Sequence, residues 1–247
     1  MGGFVQLSSI LNSSRMKSYS SPMVEQCAVI GDIVASKRVE NRLTLQRTLV
    51  AVLSRVNSEC QDSLRQPFEP TIGDEFQGVF DSVGSATRAT LLVRLLLWEE
   101  KPLEVRFGIG LGSFEVFDES GMHRSQDGPG WWAARDAIER AETAGRSTKL
   151  SAKSLTRLIK FEGSRSIMDR EVASTNAFLE CRDALVEGMN ARQRRILTGA
   201  LLGVSQREIA TNEGISPSAV SQNLRRSGGL AVKQAQEMFE LRVTWST

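Results

Sequence analysis

TIGDEFQGVF, residues 71–80, sets the carboxylates Asp74 and Glu75 directly after Gly73, between two apolar and β-prone runs. A Gly-Asp pair in such a setting is a hairpin signal. Pro67 and Pro70, just before the turn, push the first strand of that hairpin towards an edge position or a short length. The hairpin alone leaves two readings of the carboxylates open. They are a solvated turn, or they are ligands for a cation that holds a phosphate, and a second carboxylate brought close by the fold would decide between the two.

Working outward, EQCAVIGDIVAS (25–36) is a short apolar run ending in Gly31-Asp32, and NRLTLQRTLVAVLSRVNSEC (41–60) carries apolar residues at helical spacing. SATRATLLVRLLLWEE (85–100) reads as a second helix, and LEVRFGIGLGSFEVF (103–117) as a strand pair or one long bent strand. GWWAARDAIERAETAG (130–145) has the Ala-rich centre and terminal glycine of a helix with its stop signal. The order β-α-β-β-α-β-loop-α predicts an α+β fold, a ferredoxin-like βαββαβ sheet with its helices on one face, over residues 23–163. Residues 1–22 are serine-rich and without period, which predicts a flexible lead-in, and Met16 and Met23 leave the natural start open. The polar stretch 164–178 reads as a linker, and 179–247 as an all-α domain.

Composition narrows the chemistry. The 247 residues are 40% hydrophobic and 24% charged with a net charge of +2, as in an ordinary globular protein, so any basic surface must be local. Cys27, Cys60 and Cys181 are odd in number and His123 is the one histidine, which argues against a disulfide framework, a zinc site or a histidine-based triad. The longest apolar run, ATLLVRLLLW, is broken by Arg94 and too short for a bilayer, so a cytoplasmic location is expected.

The second carboxylate is Asp32. If the first strand is central, its end lies beside the hairpin that follows the first helix, and Asp32 can face Asp74. Magnesium or manganese favours such hard oxygen ligands and leaves its other positions to water and phosphates. The backbone after Asp32 (Ile33, Val34, Ala35, Ser36 and Lys37) is expected to enter a helix whose amides favour a triphosphate. Asp32 as a cap of that helix, Arg135 as a solvated helix arginine, and Trp131 and Trp132 as core residues are the plainer alternatives. Gly108, Gly110 and Gly112 suit close packing or a bulge within a strand.

GDIVASK, TIGDEFQGVF, RFGIGLG and DGPGWWAARDAI, in that order over about residues 24–145, resemble the SatD family. Its domain is related in pattern to class III nucleotidyl cyclases and, more distantly, to diguanylate cyclases. The resemblance implies Asp32 and Asp74 as metal ligands, residues 33–37 as a phosphate cradle, Arg135 as an arginine that stabilises charge on a reacting phosphate, and a homodimer. Two positions depart from the cyclase pattern. A base-selecting lysine is replaced by Pro70, and a ribose-positioning asparagine by Trp131.

VSQREIATNEGISPSAVSQNLRRSG (204–228) fits a helix-turn-helix, with Ser205 and Ser216 as N-caps, Pro217 at the first helical position and Gly214 in the turn. Ile209, Ala210, Ile215, Val220 and Leu224 are expected inside. Arg207, Ser216, Ser218, Ala219, Ser221, Gln222, Asn223, Arg225 and Arg226 are the candidate DNA-binding residues, since amides and arginines read base edges in the major groove. Residues 191–233 hold seven basic side chains against Glu208 and Glu213, a local charge of +5. ARQRRILTGALLGVSQREIA (191–210) also resembles the helix-turn-helix of sigma-factor C-terminal regions.

These features predict a DNA-binding regulator whose cyclase-like domain binds a purine nucleotide or cyclic nucleotide with magnesium or manganese. The alternatives are a metal-dependent nucleotidyl cyclase acting through Asp32, Asp74 and Arg135, and a ligand-free dimerisation domain carrying the helix-turn-helix.

Overall fold

The computed structural model describes residues 26–34, 36, 41–71, 73–118, 125–147, 155–162 and 165–241. The expected lead-in, 1–22, lies outside them. The elements run β1 (Gln26–Ile33), α1 (Arg42–Glu59), β2 (Leu64–Pro70), β3 (Glu75–Phe80), α2 (Val83–Glu100), β4 (Val105–Gly112), β5 (Glu115–Asp118), β6 (Ser125–Asp127), α3 (Pro129–Ser147), β7 (Thr156–Glu162) and β8 (Arg165–Ile167). Five helices follow: α4 (Arg170–Glu187), α5 (Ala191–Leu201), α6 (Gln206–Glu213), α7 (Pro217–Arg226) and α8 (Gly229–Leu241). Six strands form a mixed sheet in the order β2-β3-β1-β4-β7-β8, while β5 and β6 pair separately. β1 is therefore central, flanked antiparallel by β3 and β4, and β4 pairs in parallel with β7.

The helices do not all lie on one face, contrary to the expectation from the element order. Alternation along the central strands gives the sheet two buried sides. Cys27, Val29 and Ile33 of β1 and Phe107, Ile109 and Leu111 of β4 join the large core beneath α1 and α2. Ala28 and Ile30 face the other way and pack with Ala134 and Ile138 of α3. On that second side β4 offers glycines. A Cβ on Gly108 would lie 2.2 Å from the Ala134 carbonyl oxygen, and one on Gly110 would lie 2.0 Å from that of Gly130. The helix backbone rests directly on the strand, so these glycines serve close packing.

The 164–178 stretch, expected as a linker, carries β8 and the first half of α4. Two of its polar residues hold the local structure together. Asp169 caps α4 by accepting the Val172 amide at 2.8 Å, and Asn176 clamps β7 through both the amide and the carbonyl of Leu158, at 2.9 and 2.8 Å. The C-terminal helices then share the main core, to which Val172, Leu179, Val186, Leu197 and Val232 contribute. α2 is the common element. It lies against the sheet on one side and against α5 and α8 on the other, which explains a helix apolar on nearly all sides.

Arg94, the residue that interrupts the apolar run, is 1% exposed and sits in a buried charge network. Its Nη1 lies 3.1 Å from Asp183 Oδ1. The same oxygen accepts from Arg182 Nε and Nη2 at 3.0 and 2.8 Å, and Asp183 Oδ2 accepts the Thr156 amide of β7 at 2.6 Å. Arg182 also donates to the Thr87 carbonyl at 2.9 Å and to the Thr156 hydroxyl at 2.7 Å, so one cluster joins α2, α4 and the sheet. Removing one member of a buried ion pair leaves an uncompensated charge. Asp183→Asn is therefore expected to lower the unfolding free energy in urea by about 3–5 kcal/mol, and a loss of less than about 1 kcal/mol, the range of an exposed pair, would contradict this account.

Candidate functional site

Asp32 stands opposite Glu75 of β3 on one side and Arg106 of β4 on the other. Residues paired across strands project from the same face, so Glu75, Asp32 and Arg106 form a polar row on the side covered by α3. Arg106 clasps both oxygens of Asp32, with Nε 3.0 Å from Oδ1 and Nη2 2.5 Å from Oδ2, and its Nη1 lies 3.1 Å from Glu142 of α3. Arg135, also on α3, makes a second fork with Glu75, at 2.6 and 2.8 Å. Two bidentate arginine–carboxylate pairs thus stand side by side, the Asp32–Arg106 pair half-buried and the Glu75–Arg135 pair more exposed.

Asp74 precedes β3 in the turn led by Gly73, whose φ of 78° is the left-handed geometry that glycine accepts. The turn is closed by the Thr71 amide on the Glu75 carbonyl at 2.8 Å and anchored by the Gln46 side chain of α1 on the Gly73 carbonyl. Asp74 is close enough for its charge to be felt at Asp32. Burial pushes the Asp32 carboxyl above its ordinary 3.8, Arg106 opposes the rise, and Asp74 and Glu142 add to it. Glu75, which alternation from Asp74 would aim away, lies in the same row as Asp32, because β3 begins only after the turn.

Among the described residues no three His, Cys, Asp or Glu side chains stand together as a metal site. Asp32 and Asp74 could supply hard oxygens to magnesium or manganese. Arg106 already holds both Asp32 oxygens, so the fit requires an ion to compete with the guanidinium.

The expected phosphate loop is differently placed. Ile33 is buried and lies in β1 opposite Val105, and the Val34 amide donates to the Glu104 carbonyl at 2.8 Å. Ser36 is buried, while Ala35 and Lys37 lie outside the described residues. α1 begins at Arg42 with Asn41 as its cap, the Thr44 amide donating to Asn41 Oδ1 at 2.9 Å. Residues 33–37 are therefore not its N-terminus, and Asp32 does not cap it. Trp131 packs edge-on to Phe114 beside the second core, and Trp132, 45% exposed, donates its indole N–H to Asp127 at 2.7 Å.

At the C-terminal end α6 and α7 are joined through Gly214 at φ 64°. Ser205 and Ser216 accept the amides of Glu208 and Ala219, each at 3.2 Å, and Ile209, Ala210, Val220 and Leu224 are buried with Ile215 against them. Arg207, Ser216, Ser218, Gln222, Arg225 and Arg226 are exposed, and Ala219, Ser221 and Asn223 are half-buried. Ser221 is bonded to Gln206 at 2.8 Å. The local +5 charge is not all outward. Arg194 is buried against Trp98, its guanidinium carbon 4.3 Å from the ring centroid, and Arg192 and Arg195 share Glu213 at 3.5 and 2.6 Å. Lys233 pairs with Glu237.

A family model described as "SatD family" matches residues 26–238. The chain belongs to the SatD family. No curated protein matches this SatD chain at a significant level. Solved structures similar to it include a bacterial light-regulated adenylyl cyclase, at 18% identity over 56% of this chain and 75% of that one, with a TM-score of 0.39. The adenylyl cyclase CyaB from P. aeruginosa aligns at 17% identity over 61% and 80%, with a TM-score of 0.38. The guanylyl cyclase domain of the RhoGC fusion protein from the aquatic fungus Blastocladiella emersonii aligns at 14% over 47% and 74%, with a TM-score of 0.37. At such values the similarity is loose, and no activity passes from them to the SatD chain. No described helix is long and apolar enough to cross a membrane.

Arg106 and Glu142 are the site residues that sequence reading missed. The signal for Arg106 was parity, because it precedes Gly108, Gly110 and Gly112 at every second position and so shares their face, on which the pairing of β1 with β4 also sets Asp32. Because Asp32 holds its proton to higher pH when folded, the native state binds more protons just above pH 3.8, and stability falls as pH rises through that window. Arg106→Gln removes the opposing charge. The Asp32 carboxyl, followed by carbon NMR, is then expected to titrate at higher pH than in the wild type, with the fall in stability extending further. An unchanged or lower midpoint would show that Arg106 does not hold the carboxylate in solution.

Proposed function

We propose that this SatD protein is a DNA-binding transcriptional regulator. Its cyclase-like domain, residues 23–163, binds a purine nucleotide or cyclic nucleotide with magnesium or manganese and modulates DNA binding by a helix-turn-helix within 179–247. The observation that carries the reading is the exposed face of α7. Ser218, Gln222 and Arg225 recur at spacings of four and three and so fall on one side of the helix, with Arg226 beside them and Arg207 on α6. Small residues, an amide and arginines on a capped helix suit the major groove. A homodimer would present two such helices to paired half-sites.

Asp32 and Asp74 support the nucleotide part, as carboxylates that a divalent cation would relieve of mutual repulsion. Arg135 weighs against catalysis. Its guanidinium is forked onto Glu75 instead of standing ready for a phosphate, and Pro70 and Trp131 occupy the positions of base and ribose readers. A second reading, a ligand-free scaffold that pairs two DNA-binding units, is favoured by the Asp32–Arg106 fork, which neutralises the carboxylate without any ion.

A melting screen of nucleoside triphosphates and cyclic nucleotides with magnesium separates these two. A ligand-dependent rise in Tm that disappears in Asp32→Ala/Asp74→Ala supports sensing, and no rise with any nucleotide supports the scaffold. For the DNA part, purified protein is expected to shift DNA from its own promoter region, with Arg225→Ala/Arg226→Ala weakening the complex about tenfold or more. Failure to shift that DNA with or without ATP, GTP and magnesium would end the regulator reading.

A further inference from the structure

Glu104 lies immediately before β4 and touches both halves of the molecule. Its carbonyl accepts the Val34 amide at 2.8 Å, two residues after Asp32. Its carboxylate lies 3.9 Å from Arg94 Nη2 and 3.8 Å from Arg194 Nη1, on the helical side. Arg194 in turn fixes the corner between α4 and α5, donating to the Met189 carbonyl at 3.1 Å and the Glu187 carbonyl at 3.2 Å while lying over Trp98. Two residues beyond Glu104, Arg106 holds Asp32.

We propose that Glu104 is a positioning residue that couples the Asp32–Arg106 site to α5, and through the shared Ile196–Ile209–Val220 cluster to α6 and α7. The inference rests on the nucleotide-regulated reading given above, and supplies its route. An amide N–H has one hydrogen to donate, so an anion that takes the Val34 amide must release the Glu104 carbonyl. A cation that takes Asp32 must likewise displace Arg106. Either event shifts segment 104–106 at one end while its carboxylate faces two buried guanidiniums at the other. Those contacts are long, and the Arg94 nitrogens form no hydrogen bond of good geometry. Ion pairs at this separation in a buried setting change energy appreciably with a small displacement. Coupling exists only if the two arrangements of the site favour different arrangements of α5.

Hydrogen exchange in the full chain tests this without nucleotide or DNA, using Asp32→Asn and Arg106→Gln to break the fork from either side, with Glu104→Gln and Asp32→Asn/Glu104→Gln alongside. Both fork variants are expected to speed amide exchange in the first turns of α5 by about fivefold or more. Glu104→Gln is expected to do the same, and the double variant to add nothing further. Unchanged α5 exchange in both fork variants would overturn the proposal, whether or not Glu104→Gln folds. Effects of Asp32→Asn and Glu104→Gln that multiply in the double variant would also overturn it, by showing independent structural roles. Neither outcome touches the promoter-DNA test, so loss of the coupling route and loss of the regulator reading remain distinguishable.

Discussion

Asp183 is wholly buried and answers two buried arginines, Arg94 on α2 and Arg182 beside it on α4, while its other oxygen takes an amide of β7. A charge cluster withdrawn from water is stable only when every member is compensated. That requirement fixes α4 against α2 and the edge of the sheet at one point. The consequence is architectural, because the C-terminal helices cannot drift on a tether. α5 and α8 close over the outer side of α2, and the apolar residues of both halves enter one core.

On the opposite side of the sheet a different constraint governs. The glycines of β4 remove every side chain between strand and α3, bringing the α3 backbone onto the sheet. Arg106 is the residue before this glycine series on the same face, where the strand leaves the close contact and room returns for a side chain. There it meets Asp32 and Glu142, and one register position across the sheet Glu75 meets Arg135. The polar row is thus the open end of an otherwise tightly packed interface. Glu104, at the same end of β4, connects this row to the buried charges behind the sheet.

Much of this order was legible in the residues. Helical spacing in 41–60 and the alternating run after Gly73 set the early elements, and Ser205, Gly214, Ser216 and Pro217 marked α6 and α7 through capping and turn chemistry. The 164–178 stretch was not legible, because Asp169 and Asn176 look like linker polarity until their partners on α4 and β7 are seen. Nor was the second helical face of the sheet, since element order does not say on which side a helix returns. Local charge also misled at Arg194, whose partners Glu104 and Trp98 are remote in sequence from the helix that carries it. Pairings between distant charges are set by the packed fold, and composition reports only their sum.

α5 belongs both to the main core and to the separate Ile196–Ile209–Val220 cluster that holds α6 and α7, and linkage makes any coupling between the polar row and that basic helix pair measurable from the ligand side. If occupancy of the Asp32 site changes DNA affinity, DNA must change nucleotide affinity by the same factor. The direct measurement is calorimetric titration of the full chain with the magnesium-nucleotide that raises its Tm, with and without saturating promoter DNA. Two different dissociation constants are expected, with a ratio equal to that of the DNA affinities measured with and without nucleotide. Equal constants in the two titrations would contradict the coupling, showing that the polar row and the helix pair exchange no free energy.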